Sequence, residues 1–154
     1  MTVTQWEKNL AELGLTLPAV AAPVAAYIPA IRTGSLVYTS GQVPFVDGRL
    51  LMVGKVGAEV SLEAAKDAAR QCALNALAAV HDLVGLDAVV RIVKVVGFVA
   101  SAPGFGDQPT VVNGASELLG QVFGDAGRHA RSAVGVSELP LNVPVEVELI
   151  AEVR

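Results

Sequence analysis

The chain is short of the residues that most chemistry needs. It holds one cysteine, Cys72, and two histidines, His81 and His129. A lone cysteine cannot close an internal disulfide or build a thiolate metal cluster, and the two histidines match no ligand spacing, so no metal is expected. Aromatic residues make up 5% and charged residues 17% of the chain. There is no aromatic and basic platform for single-stranded nucleic acid, and the formal net charge of -4 opposes phosphate binding, so nucleic acid is not an expected partner. The uncharged segment Gly14 to Ile31 is broken by Pro18, Pro23 and Pro29 and reads as an extended arm, not as a membrane helix. Near the N-terminus Glu7 and Glu12 stand where a secretion signal has a basic start and an apolar middle, so a cytoplasmic protein is expected.

What is abundant is apolar side chain, 53% of 154 residues. That length suits one domain, and so little charge leaves too few polar groups to cover it, which favours an oligomer. A short helix is expected over about Thr4–Leu13, stopped by Gly14, with the arm following. The segment "YIPAIRTGSLVYTSGQVPF" reads as two strands joined at Thr33-Gly34, and "VDGRLLMVGKVGAEV" as a loop with turns at Asp47-Gly48 and Gly54. Ser61 caps a helix over Leu62–Val84 whose apolar stripe contains Cys72, read as a core residue. "AVVRIVKVVGFVAS" is a long strand. A second helix opens near Pro109 and runs to about Phe123, leaving Asn113 and Glu117 off its apolar face. Strands over Arg131–Val136 and Val145–Val153 complete a β-β-α-β-α-β-β order, an α+β layer with two helices on one face of a mixed sheet.

Several chemical motifs fail on their spacing. Gly104 and Gly106 lack the third glycine and the strand-turn-helix setting of a nucleotide loop. Ser40-Gly41 lacks the outer glycine of a nucleophile elbow. His129 near Ser132 has no placed acid to complete a triad. What remains is an arginine, Arg131, and two glutamates, Glu146 and Glu148, whose spacing of two puts both opposite the Val145, Val147 and Leu149 face. A solvated outer face, a salt bridge between Arg131 and Glu146, and a working site all fit this pattern.

Three stretches, "YIPAIRTGSLVYTSGQVP", the Asn113 helix and "RHARSAVGVSELPLNVPVEVELIAEV", together resemble the RidA/YjgF family of enamine/imine deaminases, also called L-PSP endoribonucleases. The likeness spans about residues 23 to 154, behind an N-terminal segment longer than in compact members. It implies a chorismate mutase-like α+β fold and a homotrimer with clefts between subunits. It assigns Arg131 to the substrate carboxylate, Glu146 to positioning the attacking water, Tyr27 to the cleft lining from an adjacent chain, and Ser40, Gly41, Asn113 and Ala133 to further cleft positions. Ala133 stands where many members carry cysteine, and His129 where many carry proline. The activity implied is hydrolysis of 2-aminoacrylate-like enamines and imines to 2-oxo acids and ammonia, with no cofactor. Binding of small carboxylic metabolites without turnover is the alternative, ahead of ribonuclease activity and of a structural or chaperone-like role.

Overall fold

The computed structural model describes residues 4–20, 22–23 and 25–154. Met1, Thr2, Val3, and Ala21 and Val24 of the expected arm, lie outside the described residues. The N-terminal helix, α1 (Gln5–Glu12), begins where Thr4 and Glu7 close a reciprocal capping box, and hydrogen bonding to Thr4 holds the Glu7 carboxyl below its ordinary range. Its apolar side is seated by Trp6, which meets Phe123 edge-on at 5.2 Å, and by buried Leu10.

The arm leads into β1 (Ala30–Thr33) and β2 (Leu36–Thr39), an antiparallel hairpin that opens after Pro29, a residue with no N–H to give a ladder. The segment read as a loop contains a second, two-residue hairpin, β3 (Phe45–Val46) and β4 (Arg49–Leu50). Its turn is Asp47-Gly48, both at positive φ (51° and 77°), as a turn matching strand twist requires. Strands this short carry no readable alternation, which is why the sequence shows only the turn.

Helix α2 (Leu62–Val84) starts at the Ser61 cap, whose hydroxyl accepts from the Ala64 N–H at 3.2 Å. Strand β5 (Val89–Ala100), helix α3 (Gln108–Phe123), β6 (Ala130–Val136) and β7 (Val145–Val153) follow. The sheet runs β1-β2-β7-β5-β6, with β5 and β6 parallel across α3 and the other pairs antiparallel. Both long helices lie on one face, over Val95, Val99, Val145, Val147, Leu149 and Ala151, all buried. They cross closely at Gly114, where an added Cβ would strike the Lys66 carbonyl. Cys72 is fully buried between α2 and β7, its Sγ 3.6 Å from the Val145 carbonyl, and burial pushes its thiol well above the usual range. The opposite sheet face is left partly open, with Ile31, Tyr38 and Val134 exposed.

Candidate functional site

Arg131 enters the sheet on its edge strand, β6, opposite Val95, and so stands on the helix-bearing face. Its guanidinium reaches α3. One nitrogen, Nη1, donates to Asn113 Oδ1 at 2.8 Å and to Ser116 Oγ at 3.1 Å, while Nη2 donates to the Pro109 carbonyl at 3.3 Å. Asn113 and Ser116 are three residues apart on the helix and therefore share one face. Of five guanidinium N–H groups, two remain with no acceptor among the described residues, one on Nε and one on Nη2. Adjacent nitrogens with parallel N–H bonds match the two oxygens of a carboxylate. The salt bridge to Glu146 does not form within the chain: the ion pairs among the described residues are Lys55 with Glu138 and Lys66 with Glu117. Ala133 follows two positions along, on the same face.

A second layer holds this arginine. His129 Nδ1 lies 2.6 Å from the Gly127 carbonyl, which can only accept, so Nδ1 carries the proton. In the neutral ring Nε2 then accepts from the Ser116 hydroxyl at 2.9 Å, and the Ser116 oxygen is left to receive Arg131. A directional chain thus runs from Arg131 through Ser116 and His129 to the backbone. Nothing in the sequence marks either partner for this role beyond the spacing of Ser116, three residues after Asn113 on the same helix.

Glu146 is built by different elements. Strand β2 pairs Tyr38 with Ile150, yet Gln42 pairs with Val147, so Ser40-Gly41 inserts one extra residue as a β-bulge. The bulge brings Gly41 against Glu146, and an added Cβ at residue 41 would occupy the position of the carboxylate. Gly41 is needed here for space rather than for φ. Its N–H has no acceptor among the described residues, while the Ser40 hydroxyl donates to the Ile28 carbonyl at 2.6 Å and ties down the arm. Glu146 is half-buried, and burial, followed by the nearby Glu148 charge, raises its carboxyl above the ordinary range. Glu146, Gly41 and half-exposed Tyr27 line one cleft of about 740 Å³, walled by Pro18–Val20, Pro23, Val43, Phe45 and Leu141.

The expected residues thus fall into two groups. Tyr27, Gly41 and Glu146 share the cleft, with Ser40 beside it; Arg131, Asn113 and Ala133 gather at the β6 edge. Glu146 pairs with Phe98, three residues along β5 from the Val95 that faces Arg131, so the two groups occupy opposite sheet faces. Among the described residues no three His, Cys, Asp or Glu side chains cluster as metal ligands, and no helix is long and apolar enough to cross a membrane.

Comparison with known proteins matches residues 7–153 to the YjgF/chorismate mutase-like family model. Protein TCP17 of Trypanosoma cruzi is 44% identical over 148 residues, covering 95% of this chain and 92% of that one. The 2-iminobutanoate/2-iminopropanoate deaminase of Salmonella typhimurium is 34% identical over 130 residues, covering 84% and 89% respectively. The crystal structure of an Agrobacterium tumefaciens protein of unknown function superposes with a TM-score of 0.91 at 43% identity, covering 97% of this chain and 93% of that one.

Proposed function

The chain belongs to the RidA/YjgF family, and on that footing we propose that it hydrolyses 2-imino acids, and the enamines that tautomerise to them, to 2-oxo acids and ammonia. The observation that carries this reading is the Arg131 guanidinium, tethered to α3 by three hydrogen bonds and left with two N–H groups on neighbouring nitrogens. The substrate carboxylate takes those two donors. Each charge-assisted bond is worth about 1.5 to 3 kcal/mol where water is excluded, enough to fix the orientation of a small anion.

The imine carbon next to that carboxylate is electrophilic. Glu146 takes a proton from water as the oxygen adds to this carbon, and the C=N bond becomes a C–N single bond. The carboxyl returns the proton to nitrogen; the remaining hydroxyl proton then passes by way of the Glu146 carboxylate to nitrogen as the C–N bond breaks, so that ammonia leaves as the carbonyl forms. Its raised affinity for protons suits both halves of that exchange. The unpartnered Gly41 N–H, beside the Glu146 carboxylate, is a donor for the substrate or the attacking water.

Because one chain holds Arg131 and Glu146 on opposite sheet faces, the complete site in this reading forms between subunits of a homotrimer, Arg131 from one and the Glu146 cleft from the next. Packing of the open sheet face against neighbours also covers Ile31, Tyr38 and Val134. The test is an imine generated in situ by an amino-acid oxidase. Wild type is expected to accelerate its decay and Arg131→Ala to abolish the acceleration; equal rates in the two would overturn the proposal. Binding of 2-oxo acids with no acceleration would mark a metabolite-binding protein instead.

A further inference from the structure

Leu141 is held in a conformation that leucine avoids. It has φ 59° and ψ 17°, and Asn142 beside it has φ 58°, two consecutive left-handed residues without a glycine. Each disfavours the folded chain relative to glycine at the same place. The turn is nonetheless pinned on both sides: the Gly54 N–H donates to the Asn142 carbonyl at 2.8 Å, and the Asn142 N–H to the Leu139 carbonyl at 3.2 Å. What this strain achieves is the display of an apolar side chain, 62% exposed, at the wall of the Glu146 cleft.

Most of the rest of the cleft agrees. Val20, Pro23, Val43 and Phe45 are among its other apolar walls, while Gln42 and Asp47 add polar groups to the lining. Asn75, a polar residue on its border, has both amide protons engaged by the Val43 and Phe45 carbonyls, at 3.0 and 3.1 Å, and its oxygen taken by Gln71. The volume, about 740 Å³, lies within the range that holds a drug-sized ligand. A methyl or ethyl side chain beside Glu146 would leave most of that apolar wall facing water.

We infer that the ligand of this cleft carries a branched or aromatic apolar side chain, seated against Leu141 and the arm, so that the imino acid handled derives from a large apolar amino acid. This rests on the proposed function in taking the Glu146 cleft as the substrate site. Leu141 then acts as a specificity-determining residue, and the arm is part of the pocket.

The experiment titrates the intact protein by calorimetry with four 2-oxo acids: pyruvate, 2-oxobutanoate, 4-methyl-2-oxopentanoate and phenylpyruvate. The two larger acids are expected to bind at least tenfold more tightly than pyruvate, as apolar pockets discriminate by tenfold or more per added methylene. Leu141→Gly is expected to remove most of that preference while holding or raising the melting temperature, because glycine accepts the left-handed turn without penalty. A merely structural leucine would do the reverse. Equal affinity across the series, absence of binding by any of the acids, or a preference unchanged in Leu141→Gly overturns the inference. So does a change in oligomeric mass in Leu141→Gly with selectivity intact, which would make Leu141 a subunit contact. The two readings fail separately: selective binding without imine turnover keeps the pocket and removes the deaminase, and turnover blind to side-chain size does the opposite.

Discussion

Arg131 and Glu146 stand on opposite faces of one sheet, on strands that flank β5, although both belong to the same proposed reaction. This separation makes the shared-site reading testable without a new structure. Arg131→Ala and Glu146→Gln are each expected to be inactive alone. Unfolded together and refolded as a mixture, they should regain activity, because about a quarter of the interfaces in a random closed ring pair an intact arginine with an intact glutamate. Activity in the mixture no higher than in either variant would exclude a site divided between chains.

Ser116 joins Arg131 to His129 by hydrogen bonds of 3.1 and 2.9 Å, and its removal leaves one donor and one acceptor unmatched. Ser116→Ala is expected to weaken binding of the substrate carboxylate by about 1 to 1.5 kcal/mol, roughly a tenfold rise in KM. The change in kcat should be smaller, and Ser116→Thr should recover most of the loss by keeping the hydroxyl. A fall confined to kcat would assign Ser116 to some other step.

Glu146 binds its proton more tightly in the folded chain than in the unfolded one. A raised carboxyl contributes stability fully below the ordinary carboxylate range, and that contribution is lost as pH rises through the folded value. At neutral pH the ionised group therefore opposes folding, and Glu146→Gln is expected to melt higher than wild type. The two melting temperatures should converge below about pH 4, where both side chains are neutral. In the wild type the acidic limb of imine turnover should fall above the usual carboxylate range; a limb at ordinary carboxylate pH would contradict Glu146 as the base.

Gly41→Ala places a methyl group where the Glu146 carboxylate lies. The side chain must rotate away, so activity is expected to fall by about a hundredfold, as displacement of a catalytic group by an ångström does. The melting temperature should move little, since the carboxylate is half-buried and swings toward solvent. Retained activity with Ala at 41 would show that the approach of these two residues is incidental.

Much of this architecture is legible in the residues, because helices and strands announce themselves locally. The Ser61 cap and the Val84 end of α2 follow from short-range chemistry, and the alternation of Val145 to Val153 states which side of β7 is buried. The candidate site is less legible for a physical reason. Whether Arg131 and Glu146 share a face depends on the register of two strand pairs through β5, and no local pattern encodes a register between distant segments. The single-residue insertion at Ser40-Gly41 is likewise visible only once Gln42 is seen to pair with Val147. Ser116 looks like any polar residue on a helix until the Arg131 side chain arrives beside it. Leu141 is hidden for the opposite reason, since nothing in its chemistry hints that it adopts a glycine-like turn.

Strand β7 lies between β2 and β5, yet it is the last element in the sequence. The hairpin ending at Thr39 waits for a partner that starts at Val145, a delay of 145 − 39 = 106 residues. At ribosomal rates of about 5 to 20 residues per second, that is roughly 5 to 20 seconds. Throughout synthesis the alanine-rich helices and the β1–β2 edge emerge without the strand that unites them. A chain that stops inside β7 leaves the facing edges of β2 and β5 unpaired, so such a fragment is expected to aggregate rather than to fold with reduced stability.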